Sequence, residues 1–336
     1  MKTSRLFLPT IIILVVMIGW NYWLPTAENF YNLPNPATEN RPVELRNVDF
    51  YAYFKAGLRF EAGQNPYYYG NPAAKLFSEY LYPPTLLPFY GLISRLAYDQ
   101  ARLLWVGFYG ISYILCFILL FWAARPALRW LLATSGLVLT MLSYPYLEHI
   151  RVGQIDILVA CQILSGFVAY RMGFKIGAAF LFALATATKV SPVFFLIYFV
   201  VFLRDYRFLL AFSLWGASLV LASLLIVPSS LYVDYLLHVL PEISKGTVFW
   251  ANQSIVKLIP DGQSGLAQAL SAAGLASFTL LCWWLSIRYP PDQRVPGKAL
   301  GQFPSLSESV FMLNMLVILA FVGKAWTMAY VWMILP

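Results

Sequence analysis

An aspartate near the N-terminal end of the chain is the first residue whose position indicates chemistry. Asp49 lies in the aromatic segment RNVDFYAYFKAGLRFEAGQNPYYYG, which follows the first apolar run of the sequence. A carboxylate at the edge of a membrane can take a proton from a hydroxyl group and so act as a general base. Aspartate is also favoured as the cap of a helix, here one that would begin at about residue 50. The residues alone leave both roles open.

A lysine between two short apolar runs is the second candidate. Lys189 separates the runs 174–188 and 191–203, and each reaches only about 20 Å as a helix, less than the roughly 30 Å hydrocarbon core. We expect a short membrane hairpin (174–203) with Lys189 at its tip, in the outer half of the membrane. A cation there is costly unless it faces a polar cavity or a partner such as a lipid phosphate. Snorkelling to the headgroups is the alternative.

Polar residues are concentrated in EHIRVGQID, which leads into a further apolar run. Arg151 could contact a phosphate or be a solvated cation, and Gln154 could hydrogen-bond to a sugar or a phosphate. Asp156 either faces a cavity or pairs with His149 or Arg151. Glu148 and His149 could form a metal-binding or an acid–base pair. The chain has only two histidines, without ligand spacing, so we expect no metal site.

Glycine and proline residues mark the turns of the aromatic segment. Gly63 and Pro66 are typical of a turn. Tyr82, Pro83 and Pro84 are expected to shape the loop that leads back into the membrane, because proline fixes φ and ends helices.

The composition is that of a membrane protein with several spans. Of 336 residues, 60% are hydrophobic and 11% are charged, whereas a soluble domain has about 25% charged residues. The net charge of +8 comes from cations that separate the apolar runs and form no basic face, so we expect no nucleic-acid partner. The cysteines lie inside apolar runs and are expected to be small core residues: Cys116, Cys161 and Cys282.

The apolar runs predict about ten transmembrane or partly spanning helices in one all-α domain (1–336). The first run (6–24) is interpreted as an uncleaved anchor with a cytoplasmic N-terminus. The others are 101–123, 131–147, 155–170, 174–188, 191–203, 208–228, 265–287, 309–323 and one that begins near 325. Alternation of sides places the cation-rich short loops in the cytoplasm, as the positive-inside rule requires.

Two longer segments are then expected outside the membrane. Residues 25–100 are too many for a connector and too aromatic for a disordered linker, so we expect an ordered external segment. We expect the aromatic residues around Asp49 to pack this segment onto the membrane surface: Phe50, Tyr51, Tyr53 and Phe54. A second external loop is expected at 229–263. The chain stops at WMILP, within an apolar run, so we expect either an unusually short protein or a sequence that is truncated at its C-terminus.

Five motifs in one order resemble glycosyltransferase family 87. The resemblance extends over most of the chain and rests on DFYAYFKAGLRFEAGQNPYYY (49–69), YLYPPTLLPFYGLISRLAYDQARLLW (80–105), GQIDILVACQIL (153–164), ALATATKVSPVFFLIYFV (183–200) and ANQSIVKLI (251–259). Each motif is weak alone, and their shared order carries the resemblance.

The resemblance implies a membrane glycosyltransferase of the GT-C fold that uses a polyprenyl-phosphate sugar, most often mannose. It implies Asp49 as the catalytic base. With such a donor, the candidate residues for binding its phosphate or sugar are Lys189, Gln154, Arg151, Asn252 and Gln253. The triplet Asn252-Gln253-Ser254 also matches the N-glycosylation pattern, and we interpret it as a polar active-site loop or as chance. The expected partners are the lipid-linked donor, a glycolipid or glycan acceptor and membrane lipids, with no cofactor. The expected location is the bacterial inner membrane, with the active site facing the periplasm or the outside.

One segment departs from the family pattern. Many members carry a histidine after a late tryptophan, near the acceptor, whereas KAWTMAYVW has Met328 and Ala329 in that neighbourhood. A histidine-assisted mechanism is therefore not expected. A transporter or flippase of a lipid-linked saccharide is the alternative function. It would favour an inverted repeat, and the sequence has no second copy of these motifs.

Overall fold

The computed structural model describes residues 48–67, 80–123, 143–245, 254–260, 263–290, 294 and 305–322. Every regular element in these ranges is helical, so the all-α prediction is confirmed for them. The α-helices are α1 (Val48–Glu61), α2 (Leu87–Ser94), α3 (Tyr98–Ala123), α4 (Tyr144–Val152), α5 (Asp156–Arg171), α6 (Lys175–Thr188), α7 (Tyr206–Leu224), α8 (Ser229–Asp234), α9 (Leu240–Ser244), α10 (Ser264–Arg288) and α11 (Leu306–Phe321). The runs expected at 6–24 and beyond 325 lie outside the described residues, as do residues 131–142 of the run expected at 131–147.

Three of these helices are long and apolar enough to cross a membrane: Tyr98–Phe121, Tyr206–Leu224 and Ser264–Arg288. Three shorter apolar helical segments accompany them: Lys175–Thr188, Ser191–Phe202 and Leu306–Phe321. Large apolar side chains remain exposed along the long helices, as expected for surfaces in contact with lipid. The full set of about ten spans, the sidedness and the placement of segment 25–100 stay predictions.

Helix α1 packs into the protein through its aromatic residues. Phe50 lies 5.4 Å from Trp105, and Tyr53 stacks on Tyr90 with ring centroids 5.3 Å apart. The sequence suggested that Phe50, Tyr51, Tyr53 and Phe54 would pack the segment onto the membrane surface. All four are instead buried in the core. An aromatic side chain suits a membrane interface or a protein interior equally well, and only the neighbouring helices decide.

A glycine allows α1 and α2 to approach closely. A Cβ atom added to Gly57 would lie 2.2 Å from the carbonyl oxygen of Tyr90. This distance is far below van der Waals contact, so any side chain would push the helices apart. Gly57 of the first motif is therefore a packing feature.

The predicted turn after α1 is present. Gly63 has a φ of +68°, and the N–H of Gln64 donates to the carbonyl oxygen of Arg59 at 2.8 Å, the pattern of a glycine that ends a helix. The side-chain oxygen of Asn65 then accepts the N–H of Tyr67 at 2.9 Å across Pro66. The turn directs the chain away from α1 and buries Tyr67.

Pro83 and Pro84 form the start of a short helical element, and its return into a membrane stays a prediction. Pro83 is extended (φ −55°, ψ 146°) and caps a 3₁₀ helix, Pro84–Leu86, whose first residue is the second proline. The hydroxyl of Tyr80 donates to the carbonyl oxygen of Pro83 at 3.0 Å. This short element leads directly into α2.

Helices α5, α6 and α7 pack side by side, α5 against α6 and α6 against α7. Helix α6 has 14 residues, about 21 Å at 1.5 Å per residue. The chain then continues as a 3₁₀ helix, Ser191–Phe195, and a π-helix, Ile197–Phe202. The expected break at Lys189 is therefore confirmed, and the depth of the hairpin in a membrane stays a prediction.

The segment 229–263, expected as an external loop, contains helical turns. After α8 the chain forms a π-helix, Tyr235–Val239, then α9, and later a 3₁₀ helix, Ile255–Leu258. The Nδ2 of Asn65 donates to Asp234 Oδ2 at 2.5 Å. This contact ties α8 to the turn that follows α1.

Candidate active site

Asp49 lies inside the first turn of α1. A negative charge there is favoured by the helix dipole. The carboxylate is half-buried, and its Oδ2 accepts a hydrogen bond from Gln154 Nε2 at 2.8 Å. Because α1 is held by its buried aromatic face, the carboxylate is fixed to the protein and does not lie on a mobile loop.

Gln154 is the centre of a buried hydrogen-bond network. Its Oε1 accepts the hydroxyl of Tyr53 at 2.6 Å, the hydroxyl of Tyr82 at 2.8 Å and the backbone N–H of Ile155 at 3.0 Å. The two hydroxyl oxygens are 2.9 Å apart. Burial raises the pKa of both tyrosines well above the ordinary value, and the charge of Asp49 acts in the same direction. The hydroxyls therefore remain protonated and can donate.

A left-handed residue places Gln154 in this position. Helix α4 ends at Gly153, which has a φ of 72°, and the N–H of Gln154 donates to the carbonyl oxygen of His149 at 3.1 Å. Trp105 Nε1 in turn donates to the carbonyl oxygen of Gly153 at 3.0 Å. The glycine of the GQID motif is thus required for the turn between α4 and α5.

Asp156 and Lys189 form an ion pair one turn away from this network. The Nζ and Oδ1 atoms are 2.7 Å apart, and the exposed side-chain fractions are 16% for Lys189 and 0% for Asp156. The sequence left open a cavity, His149 or Arg151 as the surroundings of Asp156, and the structure pairs it with Lys189, which was not among them. Lys189 ends α6 in an extended conformation, which brings its side chain to the first turn of α5.

His149 and Arg151 lie on different faces of α4. Arg151 is paired with Glu148, through Nε to Oε2 at 2.6 Å, so the expected Glu148–His149 pair is not formed. His149 is fully buried, 4.8 Å from the ring of Tyr109, and neither ring nitrogen has a hydrogen-bond partner among the described residues. Burial lowers the pKa of His149 to about 3, and the charge of Lys189 acts in the same direction.

The site therefore combines some sequence candidates and leaves others apart. Asp49 is bonded to Gln154, and Asp156, two residues later, is paired with Lys189 at the end of α6. The described part of the chain has no group of three His, Cys, Asp or Glu side chains suited to a metal ion. Asn252 and Gln253 lie outside the described residues.

Two tyrosines of the site were missed as functional candidates. Tyr82 was expected only to shape its loop, and Tyr53 only to pack, yet both donate to Gln154. Nothing in the local sequence distinguishes them from the other tyrosines of the aromatic segment. Their contact with Gln154 arises only in the folded protein, because the GQID turn lies about 70–100 residues later in the chain.

Comparison with known proteins gives one match. The model of glycosyltransferase family 87 matches residues 80–306. This range includes Gln154, Asp156 and Lys189, whereas Asp49 precedes it. No curated protein and no solved structure matches.

Proposed function

Because the chain belongs to glycosyltransferase family 87, we propose that it transfers a hexose from a polyprenyl-phosphate sugar, with mannose as the first candidate. The acceptor is a lipid or glycan at the outer face of the membrane. The three long apolar helices support a membrane location for this reaction. The proposed location is the inner membrane of a bacterium.

The observation that carries the proposal is the bond between Asp49 and Gln154. It joins a carboxylate from outside the family match to a residue inside it, with Nε2 and Oδ2 2.8 Å apart. The carboxylate is thereby held next to the turn whose other end carries the Asp156–Lys189 pair. Transfer from a phosphate donor requires a base for the acceptor hydroxyl and a cation for the departing phosphate, close to each other.

The proposed reaction is a direct displacement at the anomeric carbon. The acceptor hydroxyl oxygen forms a bond to this carbon, and its proton passes to the carboxylate of Asp49. The bond from the anomeric carbon to the phosphate oxygen breaks, and its electron pair leaves with the polyprenyl phosphate. Since phosphate needs little acid assistance to depart, one carboxylate is sufficient, in contrast to hydrolases that use two.

Lys189 is the proposed ligand of the donor phosphate. Its side chain is partly exposed while its partner Asp156 is fully buried, so the paired cation is still accessible to a bound phosphate. Arg151 is also partly exposed, with 37% of its side chain accessible beside Glu148, and could contact the same phosphate.

The test uses the full chain reconstituted in lipid vesicles. The protein is incubated with a panel of polyprenyl-phosphate sugars and a native lipid extract, and products are identified by mass spectrometry. A new glycolipid that forms with the wild type and fails to form with Asp49→Asn supports the proposal. Movement of the labelled donor between leaflets without any new product would instead identify a flippase.

A further inference from the structure

The orientation of the Gln154 amide is fixed by its surroundings. A backbone N–H can only donate, so the N–H of Ile155, 3.0 Å away, requires the amide oxygen on its side. The hydroxyls of Tyr53 and Tyr82 donate to the same oxygen. With the oxygen so placed, Nε2 must point to Asp49 Oδ2.

The network is also rigid. Gln154 is 1% exposed, and its two tyrosine donors come from separate elements, α1 and the segment before α2. Tyr53 packs against the rings of Tyr90 and Trp105, at centroid distances of 5.3 and 5.5 Å, and these two rings also contact each other. A buried network in which each donor has an acceptor holds a single arrangement. The amide therefore has little freedom to turn toward a bound sugar.

We propose that Gln154 is a positioning residue that acts through Asp49, and that Tyr53 and Tyr82 set the direction in which its amide donates. This inference rests on the proposed function, because it assumes that Asp49 is the base. It differs from the role that the sequence suggested, in which Gln154 binds the donor phosphate or sugar. The two roles predict different kinetics.

The first experiment replaces the amide. Gln154→Met keeps the length of the side chain and removes both polar atoms, and the two tyrosine hydroxyls, 2.9 Å apart, can then bond to each other. We expect kcat to fall about tenfold to a hundredfold, since a displacement near 1 Å at a reacting group costs about 10²-fold. The KM for the donor should stay within about twofold of the wild-type value, because the variant removes no contact that binds the donor before the reaction.

A double-variant cycle separates the two roles further. In the Asp49→Asn background the base is already absent, so adding Gln154→Met should change kcat by less than about twofold if Gln154 acts only through Asp49. A raised donor KM with unchanged kcat in the single variant would overturn the inference in favour of a direct ligand. Wild-type kinetics in Gln154→Met would also overturn it.

Tyr82→Phe provides a second variant in case Gln154→Met folds poorly. It removes one donor to the amide oxygen and leaves the Gln154–Asp49 bond in place, so we expect a smaller fall in kcat at an unchanged donor KM. An unchanged kcat in Tyr82→Phe would remove the tyrosine from the proposal.

Two matched controls are available. Tyr90→Phe deletes a buried hydroxyl that has no hydrogen-bond partner among the described residues, although its ring stacks on Tyr53. Gln162→Met deletes an amide on α5 that contacts Thr188 at 3.4 Å. Both should keep wild-type kcat. An inactive Tyr90→Phe would show that any change among Tyr53, Tyr82 and Tyr90 abolishes activity. It would contradict a specific role of the hydrogen bonds to Gln154.

The failure of this inference and that of the proposed function are distinguishable. If Asp49→Asn keeps full transferase activity, or no transferase activity exists, the proposed function fails. If Asp49→Asn is inactive while Gln154→Met behaves as the wild type, only the positioning role fails.

Discussion

At the scale of single residues, Asp49 is constrained from two sides. Its backbone belongs to α1, whose inner face is buried, and its carboxylate is bonded to the amide of Gln154. An asparagine at this position can still accept that amide N–H through its own side-chain oxygen. Loss of the charge therefore need not disturb the packing, and chemistry and folding can be separated.

The first prediction concerns this carboxylate. Asp49→Asn should reduce turnover by about 10²–10⁴, the range for loss of a general base, and leave thermal stability and donor binding nearly unchanged. Asp49→Glu should recover little, because the extra methylene displaces the carboxylate. Glu61→Gln is the matched control, since Glu61 lies at the other end of α1 and pairs with Arg95.

Turnover by the glycolipid assay and melting by a thermal assay check this prediction together. If Asp49→Asn melted well below the wild type while the remaining protein kept its full specific activity, Asp49 would be a structural residue.

The second prediction concerns Lys189. Lys189→Ala removes the proposed phosphate ligand and also leaves Asp156 buried without its cation, so the donor KM should rise and stability should fall. Lys189→Arg keeps a cation of different geometry, so it should retain part of the donor affinity and part of the stability. Lys175→Ala, which breaks an ion pair with Asp205 at the other end of α6, is the control.

The dependence of the transfer rate on donor concentration, measured for all three variants, tests whether Lys189 binds the donor phosphate. A donor KM in Lys189→Ala equal to that of the wild type would exclude the phosphate role and leave a purely structural ion pair.

At the scale of helices, the approach of α1 to α2 determines where the carboxylate of Asp49, the proposed base, lies. Tyr90 on α2 contacts α1 through both its ring, on Tyr53, and its carbonyl oxygen, next to Gly57. A change in the spacing of these helices would therefore move Asp49 relative to Gln154 without altering either side chain.

The third prediction tests this spacing. Gly57→Ala places a Cβ atom 2.2 Å from the Tyr90 carbonyl oxygen, and overpacking of this kind costs about 1–3 kcal/mol. We expect a lower melting temperature and a lower kcat. Gly107→Ala on α3 meets no atom within 4 Å and should be neutral or slightly stabilising, because alanine favours helix more than glycine does. Equal behaviour of the two variants would contradict the spacing argument.

Helix positions were more predictable than side-chain partners. The run 155–170 corresponds to Asp156–Arg171 and the run 265–287 to Ser264–Arg288, because the lengths of apolar runs follow from the membrane thickness. The partner of Asp156 was not predictable, since His149, Arg151 and Lys189 are all cationic or polar and only the extended conformation at the end of α6 selects the lysine. The burial of the aromatic residues of α1 was not predicted either, because it also depends on contacts with residues that are distant in the sequence.

At the scale of the whole molecule, the candidate site lies at one end of the helix pair α5–α6. The ion pairs of Arg171 and Lys175 lie at the other end. Asp156 begins α5 and Lys189 follows α6, whereas Arg171 ends α5 and Lys175 begins α6. Arg171 makes a buried ion pair with Glu308 of α11 at 3.3 Å, and Lys175 Nζ lies 2.5 Å from Asp205, the cap of α7. The starts of α7 and α11 therefore meet at the end opposite the site.

The turn after α1 belongs to the end that carries the site. Helix α7 runs away from Asp205, and α8 follows its far end. Asp234, the last residue of α8, accepts the side-chain N–H of Asn65 at 2.5 Å. The positive-inside rule places the Arg171–Lys175 end in the cytoplasm, so Gln64 and Asp49 should face the outside.

The fourth prediction tests this sidedness with single cysteines. Gln64 and Met172 are both exposed, and the native thiols of Cys116, Cys161 and Cys282 are buried, so background labelling should be low. In intact cells or right-side-out vesicles, a membrane-impermeant maleimide should label Gln64→Cys and reach Met172→Cys only after the membrane is permeabilised. Because a lipid-linked donor and its acceptor must meet on the side where the base lies, the reverse pattern would reject both the topology and a reaction at the outer face. Labelling of both cysteines from one side would show that the α5–α6 pair does not cross the bilayer.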